Sequence, residues 1–160
     1  MLVRFTKNAP SAKADTLTCI RADGTSTTGL MPKQGVLPHD AIHYVVENTL
    51  GWREAFFGQI DGGDEFAAVT ARFHGQKTAA VKHPRVRQSE ALVECLQGEQ
   101  WGGATNPAAF TEKLTAACHA HRVAALVLTA TDLDRVRVAL REFGAAWRPL
   151  ATGKSLERTF

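Results

Sequence analysis

The chain has 160 residues, of which 44% are hydrophobic and 22% charged, with 19 Lys and Arg against 16 Asp and Glu for a net charge of +3. That is about one domain's worth of chain, long enough to bury roughly 70% of its unfolded surface, and its average composition excludes a disordered tail, a collagen-like fibre and a disulfide-dense miniprotein. The basic excess is small and its 12 arginines are scattered, so nucleic acid is not indicated.

In chain order, residues 2–6 (LVRFT) have strand composition, and 16–21 (TLTCIR) alternate with β-branched residues as a half-buried strand does. Asp23-Gly24 supplies the residues of a tight turn, which makes 16–30 a hairpin. Pro32, Gly35 and Pro38 mark a loop. Residues 39–50 (HDAIHYVVENTL) then carry apolar side chains at helical spacing, with Gly51 as C-cap. Two further helices are expected at 52–60 and 63–74, with glycines 58, 62 and 63 forming the turn between them. The basic stretch from Lys77 to Arg87, interrupted by Pro84, is expected to be an exposed connection.

Helix signals resume at 89–97 with Ser89 as N-cap, and at 107–121, where Pro107 suits a first helical position. Residues 123–128 (VAALVL) fit a buried strand or a buried helical piece equally well. An amphipathic helix at 132–143 ends at Gly144, and the alternating SLERTF at 155–160 suggests a strand returning to the N-terminal sheet. The expectation is a single α+β domain over 1–160, with a small antiparallel sheet, made of the N-terminal hairpin and a C-terminal strand, packed against several helices.

Three cysteines, Cys19, Cys95 and Cys118, without CxxC spacing fit a reducing compartment. The first residues lack a signal-peptide core, and no stretch approaches the ~18 to 20 apolar residues of a membrane helix. A cytoplasmic protein without a membrane partner is the expectation, and the Ala- and Arg-rich usage is compatible with a bacterial source. The aromatic residues Trp52, Phe56 and Phe57 are read as core, although an exposed remnant of that face would suit a protein partner or a homodimer.

The chemistry is concentrated at the start of the first long helix. At about 100° per residue, His43 falls about 40° from His39, and Glu47 about 80° from it, within or beside the stripe made by Ile42, Val46 and Leu50. Inward-facing histidines need hydrogen-bond partners or a metal. An i, i+4 pair rises about 6 Å along the axis and can chelate one ion, whereas Glu47, about 12 Å from His39, is too far to share it. Glu47 instead reads as the group that orients the His43 imidazole. A third ligand would come from elsewhere, with His74, His83, Glu94, His119 and His121 as the pool. His119 and His121 diverge by about 200° on a helix and cannot share an ion there; a polar helix end explains them better.

The pattern HDAIH resembles the HExxH helix of zinc metalloproteases, the zincins, over five residues. That resemblance implies His39 and His43 as ligands of zinc or another divalent metal, and Asp40 at the position of the general base, one methylene shorter than the family's Glu. The longer stretch PHDAIHYVVENTLGWREAFFGQIDGG, with Asp23-Gly24-Thr25 before it and Trp147, Gly153 and Leu156-Glu157 after it, is similar to an uncharacterised group of small bacterial proteins, which implies fold boundaries and no activity.

Short histidine patterns arise often by chance, so a hydrogen-bonded polar cluster fixing the helix is the more frequent meaning of His39, Asp40, His43 and Glu47. The functional expectation is a divalent-metal-binding domain with metal-assisted hydrolase activity; the alternative is a non-catalytic interaction or regulatory domain in which the cluster is structural. Nucleic-acid binding would require Lys82, Arg85 and Arg87 to join one surface patch, and solvated loop charges are the simpler account of that run.

Overall fold

A computed structural model describes residues 1–34, 36–74, 84–102 and 106–160, with the side chain of His74 outside the description. Four strands, β1 (Leu2–Thr6), β2 (Ala14–Ile20), β3 (Ser26–Pro32) and β4 (Ser155–Thr159), form one antiparallel sheet in the order β3-β2-β1-β4. Among the described residues there are six helices: α1 (His39–Leu50), α2 (Phe56–Asp61), α3 (Phe66–His74), α4 (Pro84–Gln100), α5 (Pro107–Ala120) and α6 (Ala130–Trp147). The architecture is α+β, as the strand and helix patterning requires.

Alternation decides which face of the sheet is covered. Val3 and Phe5 of β1, Leu17 and Cys19 of β2 and Met31 of β3 are fully buried. The opposite face carries exposed polar pairs such as Arg4 with Glu157 and Thr18 with Thr28. The β2–β3 hairpin turns at Asp23-Gly24. Gly24 has φ of 84°, and the Asp23 carboxylate accepts hydrogen bonds from the Thr25 backbone N–H and hydroxyl. Gly29 must be glycine for a different reason, since a Cβ there would collide with the ring of Phe66, which packs against β3.

Helix α1 is the centre of the helical layer, packed against α4 on one side and α6 on the other. It is buried all round from Ala41 to Glu47, and Tyr44 donates to the Thr159 carbonyl of β4 at 2.8 Å. Its limits match the sequence pattern, with Gly51 at φ 67° as the left-handed cap. The core joins Phe5, Tyr44, Phe57, Phe143 and Phe160 in edge and tilted ring contacts, so the aromatic residues of α2 are core as expected.

Several element limits differ from the sequence reading, each for a local reason. Residues 52–55 are not helical: α2 starts at Phe56, and the chain before it folds so tightly that a Cβ on Gly58, which lies inside α2, would meet the Arg53 carbonyl at 1.9 Å. Helix α3 starts at Phe66 rather than 63, because Gly63 takes φ of 110° in the preceding turn. Pro84 opens α4 instead of sitting in a connection, since a proline in the first turn removes no needed donor; residues 77–83 lie outside the described residues.

Ser89 is consequently no N-cap but lies within α4, fully buried. Asn106 caps α5, accepting from Ala108 N at 2.9 Å, with Pro107 at the expected first position. Helix α6 is capped at Thr129 and runs past Gly144 to Trp147, because burial of Trp147 against Phe143 outweighs the glycine cost of about 1 kcal/mol. Residues 123–128 form neither strand nor helix; the Arg122 and Ala124 carbonyls are taken up by the side chains of Arg87 and Gln88. Among the described residues no helix is long and apolar enough to cross a membrane.

Candidate metal centre

The seam between α1 and α4 brings together the buried polar side chains of His43, Glu47 and Ser89. Glu47 is completely buried, and its carboxylate is engaged by neighbours from three elements. One oxygen, Oε1, lies 3.2 Å from His43 Nδ1 and accepts from the Ser89 hydroxyl at 3.3 Å and from Phe56 N–H at 3.1 Å. The other, Oε2, accepts from Phe57 N–H at 2.8 Å. The carboxylate thus makes four polar contacts, three at Oε1 and one at Oε2. Glu47 thereby caps the N-terminus of α2, whose own N-cap residue, Ala55, has no side chain to do so.

His43 lies between two carboxylates. Its Nδ1 faces Glu47, and its Nε2 lies 2.9 Å from Glu90 Oε2 on α4. Burial opposes a charge on this imidazole, but the hydrogen bonds to Glu47 and Glu90 and the charges of both carboxylates outweigh it and raise its pKa to about 10. The edge of Phe73 and the tilted ring of Phe56 wall the imidazole at 5.8 and 5.9 Å between centroids. His39, one turn earlier, packs edge-on against His43 at 4.9 Å and brings its Nε2 to 3.8 Å from Glu90 Oε1.

His39, His43 and Glu90 thus converge: one ligand atom from each lies within 4.8 Å of the others, close enough to hold a metal ion. Two imidazoles and a carboxylate form a donor set that suits zinc and other divalent first-row ions, and three protein ligands leave coordination positions open. The cluster is sealed at one end and open at the other. The side chains of His43 and Glu47 are 3% and 0% exposed, whereas those of His39 and Glu90 keep 19% and 14%.

The other sequence-predicted residues separate from this group. Asp40 stands outside the three-residue group and acts electrostatically on the buried thiol of Cys19 in β2. Within the third-ligand pool, Glu94 and His121 pair with each other at 3.1 Å, and His119 lies in the last turn of α5. His83 and the His74 side chain lie outside the described residues.

Of the basic run, Arg85 stacks over Trp52 at 4.6 Å and Arg87 donates to the Arg122 carbonyl, while Lys82 is undescribed. Glu90 itself escaped the sequence reading. Its signal was present, because Val86, Glu90, Val93 and Gln97 recur at i, i+4, i+7 and i+11, placing a carboxylate in a buried stripe of α4. A helix begun at Ser89 leaves Val86 out of that stripe and puts Glu90 in the first turn, where a carboxylate is common on a solvated helix end.

No family model matches this chain, nor does any curated protein or solved structure.

Proposed function

We propose that the protein binds a divalent cation, zinc being the preferred ion, through His39, His43 and Glu90, and uses it for metal-assisted hydrolysis. The observation that carries this reading is the convergence of the three ligand atoms within 4.8 Å. It is supported by Glu47, whose contact with His43 Nδ1 orients the ring so that Nε2 faces Glu90. A bound ion would lower the pKa of a water molecule, whose oxygen would attack an acyl carbon or phosphorus while the leaving group departs with a proton. The open end at His39 and Glu90 is where such a water and a substrate would enter.

Asp40 is one residue from His39 but also within electrostatic reach of Cys19. This reading gives it no ligand role and tests it as the base, since Asp40→Asn should abolish hydrolysis while leaving the metal bound. A second reading, a non-catalytic domain with a structural cluster, is favoured by the 2.9 Å contact of His43 with Glu90, which satisfies both groups without an ion.

Elemental analysis of protein carrying no histidine tag separates the two. Near-stoichiometric metal that disappears in His43→Ala and Glu90→Gln supports the first. Protein that stays empty after incubation with zinc and removal of the excess overturns it in favour of the second.

A further inference from the structure

A separate cleft of about 490 Å³ lies between the C-terminal half of α4 and α6, a volume in the range of small-molecule sites. On α6, Arg137, Arg141, Gly144 and Arg148 follow one another at i, i+4, i+7 and i+11 and line one side of it. The opposite wall comes from Leu96, Glu99 and Gln100 of α4, and Leu37, in the approach to α1, also lines the cleft.

The charges in this cleft are not equivalent. Arg137 is held by Glu99 through two hydrogen bonds of 2.6 and 3.1 Å and lies over the ring of Phe110, so Glu99 balances its charge. Arg141 and Arg148 have no acidic partner among the described residues. Gly144 makes room for one of them: a Cβ there would be 3.8 Å from the Arg148 guanidinium, which folds back over the helix. Gln100 adds a buried donor, its Nε2 having no hydrogen-bond partner among the described residues. Buried donors without acceptors are uncommon, and each calls for an explanation.

We propose that this cleft binds a small organic anion, an apolar body bearing a carboxylate or phosphate oxyanion. Arg141, Arg148 and the Gln100 amide receive the oxyanion, and Leu37, Leu96 and Leu140 hold the body. The proposal is independent of the metal centre, since it uses none of the residues of that site.

Isothermal titration of metal-stripped protein tests it, with octanoate and phenyl phosphate as the anionic probes and octanamide as the neutral one. At least one anion should bind with a dissociation constant below about 1 mM, and the one that binds identifies the head group. Octanamide and inorganic phosphate alone should bind at least about tenfold more weakly, as expected when charge and apolar body both contribute.

The double variant Arg141→Gln, Arg148→Gln should lose about tenfold or more for the bound anion; both side chains are exposed, so the fold is expected to survive. Gly144→Met, which meets nothing closer than the Arg148 guanidinium at its Cβ, should fill the cleft and abolish binding with thermal unfolding unchanged or raised. Failure of both anions to bind, or equal binding by the double variant, or equal binding of octanamide, overturns the assignment.

Discussion

The two ends of the His43 cluster are built from the same chemistry, a carboxylate against an imidazole, yet they differ in what surrounds them. At the sealed end, Glu47 is fully buried and engaged by His43, Ser89 and two backbone N–H groups. At the open end, Glu90 faces two histidine nitrogens at 2.9 and 3.8 Å and keeps contact with solvent. A buried carboxylate that accepts from the first N–H groups of another helix holds a fold together. One that faces two imidazoles and keeps some contact with solvent is placed where an ion could take up the same three side chains. Glu47 is thus the carboxylate that ties α1 to α2 and α4, and Glu90 the one that the proposed metal site would use.

The largest effect should come from breaking the sealed end. Glu47→Ala removes the acceptor of four buried donors at once, and we expect a loss of about 3 to 5 kcal/mol, read as a lower urea midpoint. Glu47→Gln keeps an acceptor oxygen and should fall between this variant and the parent. A Glu47→Ala protein as stable as the parent would remove Glu47 from the structural role.

Breaking the open end should separate metal from fold. Glu90→Gln should weaken zinc at least about 100-fold by competition with a chelating dye, in line with losing one of three ligands, while lowering stability by only about 1 kcal/mol because Glu47 still engages His43. If stability collapses and no metal was bound in the parent, the two ends serve one structural purpose.

The pH dependence sharpens the same contrast through opposite signs. The pKa of His43 is raised in the folded protein, so its charged form contributes stability that is fully present below its unfolded value of about 6.5 and is lost as pH rises through about 10. Metal-free protein should therefore lose stability between those limits. Zinc must displace the same proton, so its affinity should rise over that interval. Denaturation and metal titrations at a series of pH values check both slopes, and slopes of the same sign would contradict the shared proton. The smallest effect belongs to Ser89→Ala, which deletes a hydroxyl lying 3.3 Å from Glu47 Oε1 and 3.2 Å from His43 Nδ1; it should cost about 1 kcal/mol and leave metal uptake nearly unchanged, since Glu47 still contacts Nδ1.

How much of this the sequence reveals depends on the range over which each feature is encoded. Local signals suffice for the β2–β3 hairpin, where Asp23-Gly24 dictates the turn, and for α1, where apolar spacing and Gly51 set both limits. They also suffice to pair His43 with Glu47, because i, i+4 is a property of one helix. They fail where a partner is distant. Glu47 caps a helix nine residues later that has no cap of its own. Glu90 reaches the histidines only because α4 crosses α1, and Ser89 has the composition of a cap but the burial of a core residue. A polar residue that serves another element cannot be distinguished, from its own neighbours, from one that serves its own.

The place of β1 in the sheet carries a kinetic consequence. It pairs with β2 across a short connection but with β4 across most of the chain, Arg4 meeting Glu157 over a separation of 153 residues. Closing so long a loop lowers chain entropy before any contact compensates, which slows folding. The hairpin side of the sheet can thus become protected early, while β4 and the Tyr44 bond to Thr159 come last. Pulse-labelled amide exchange during refolding should find β2 and β3 protected before β4, so that the strand completing the sheet sets the pace at which the native state is reached.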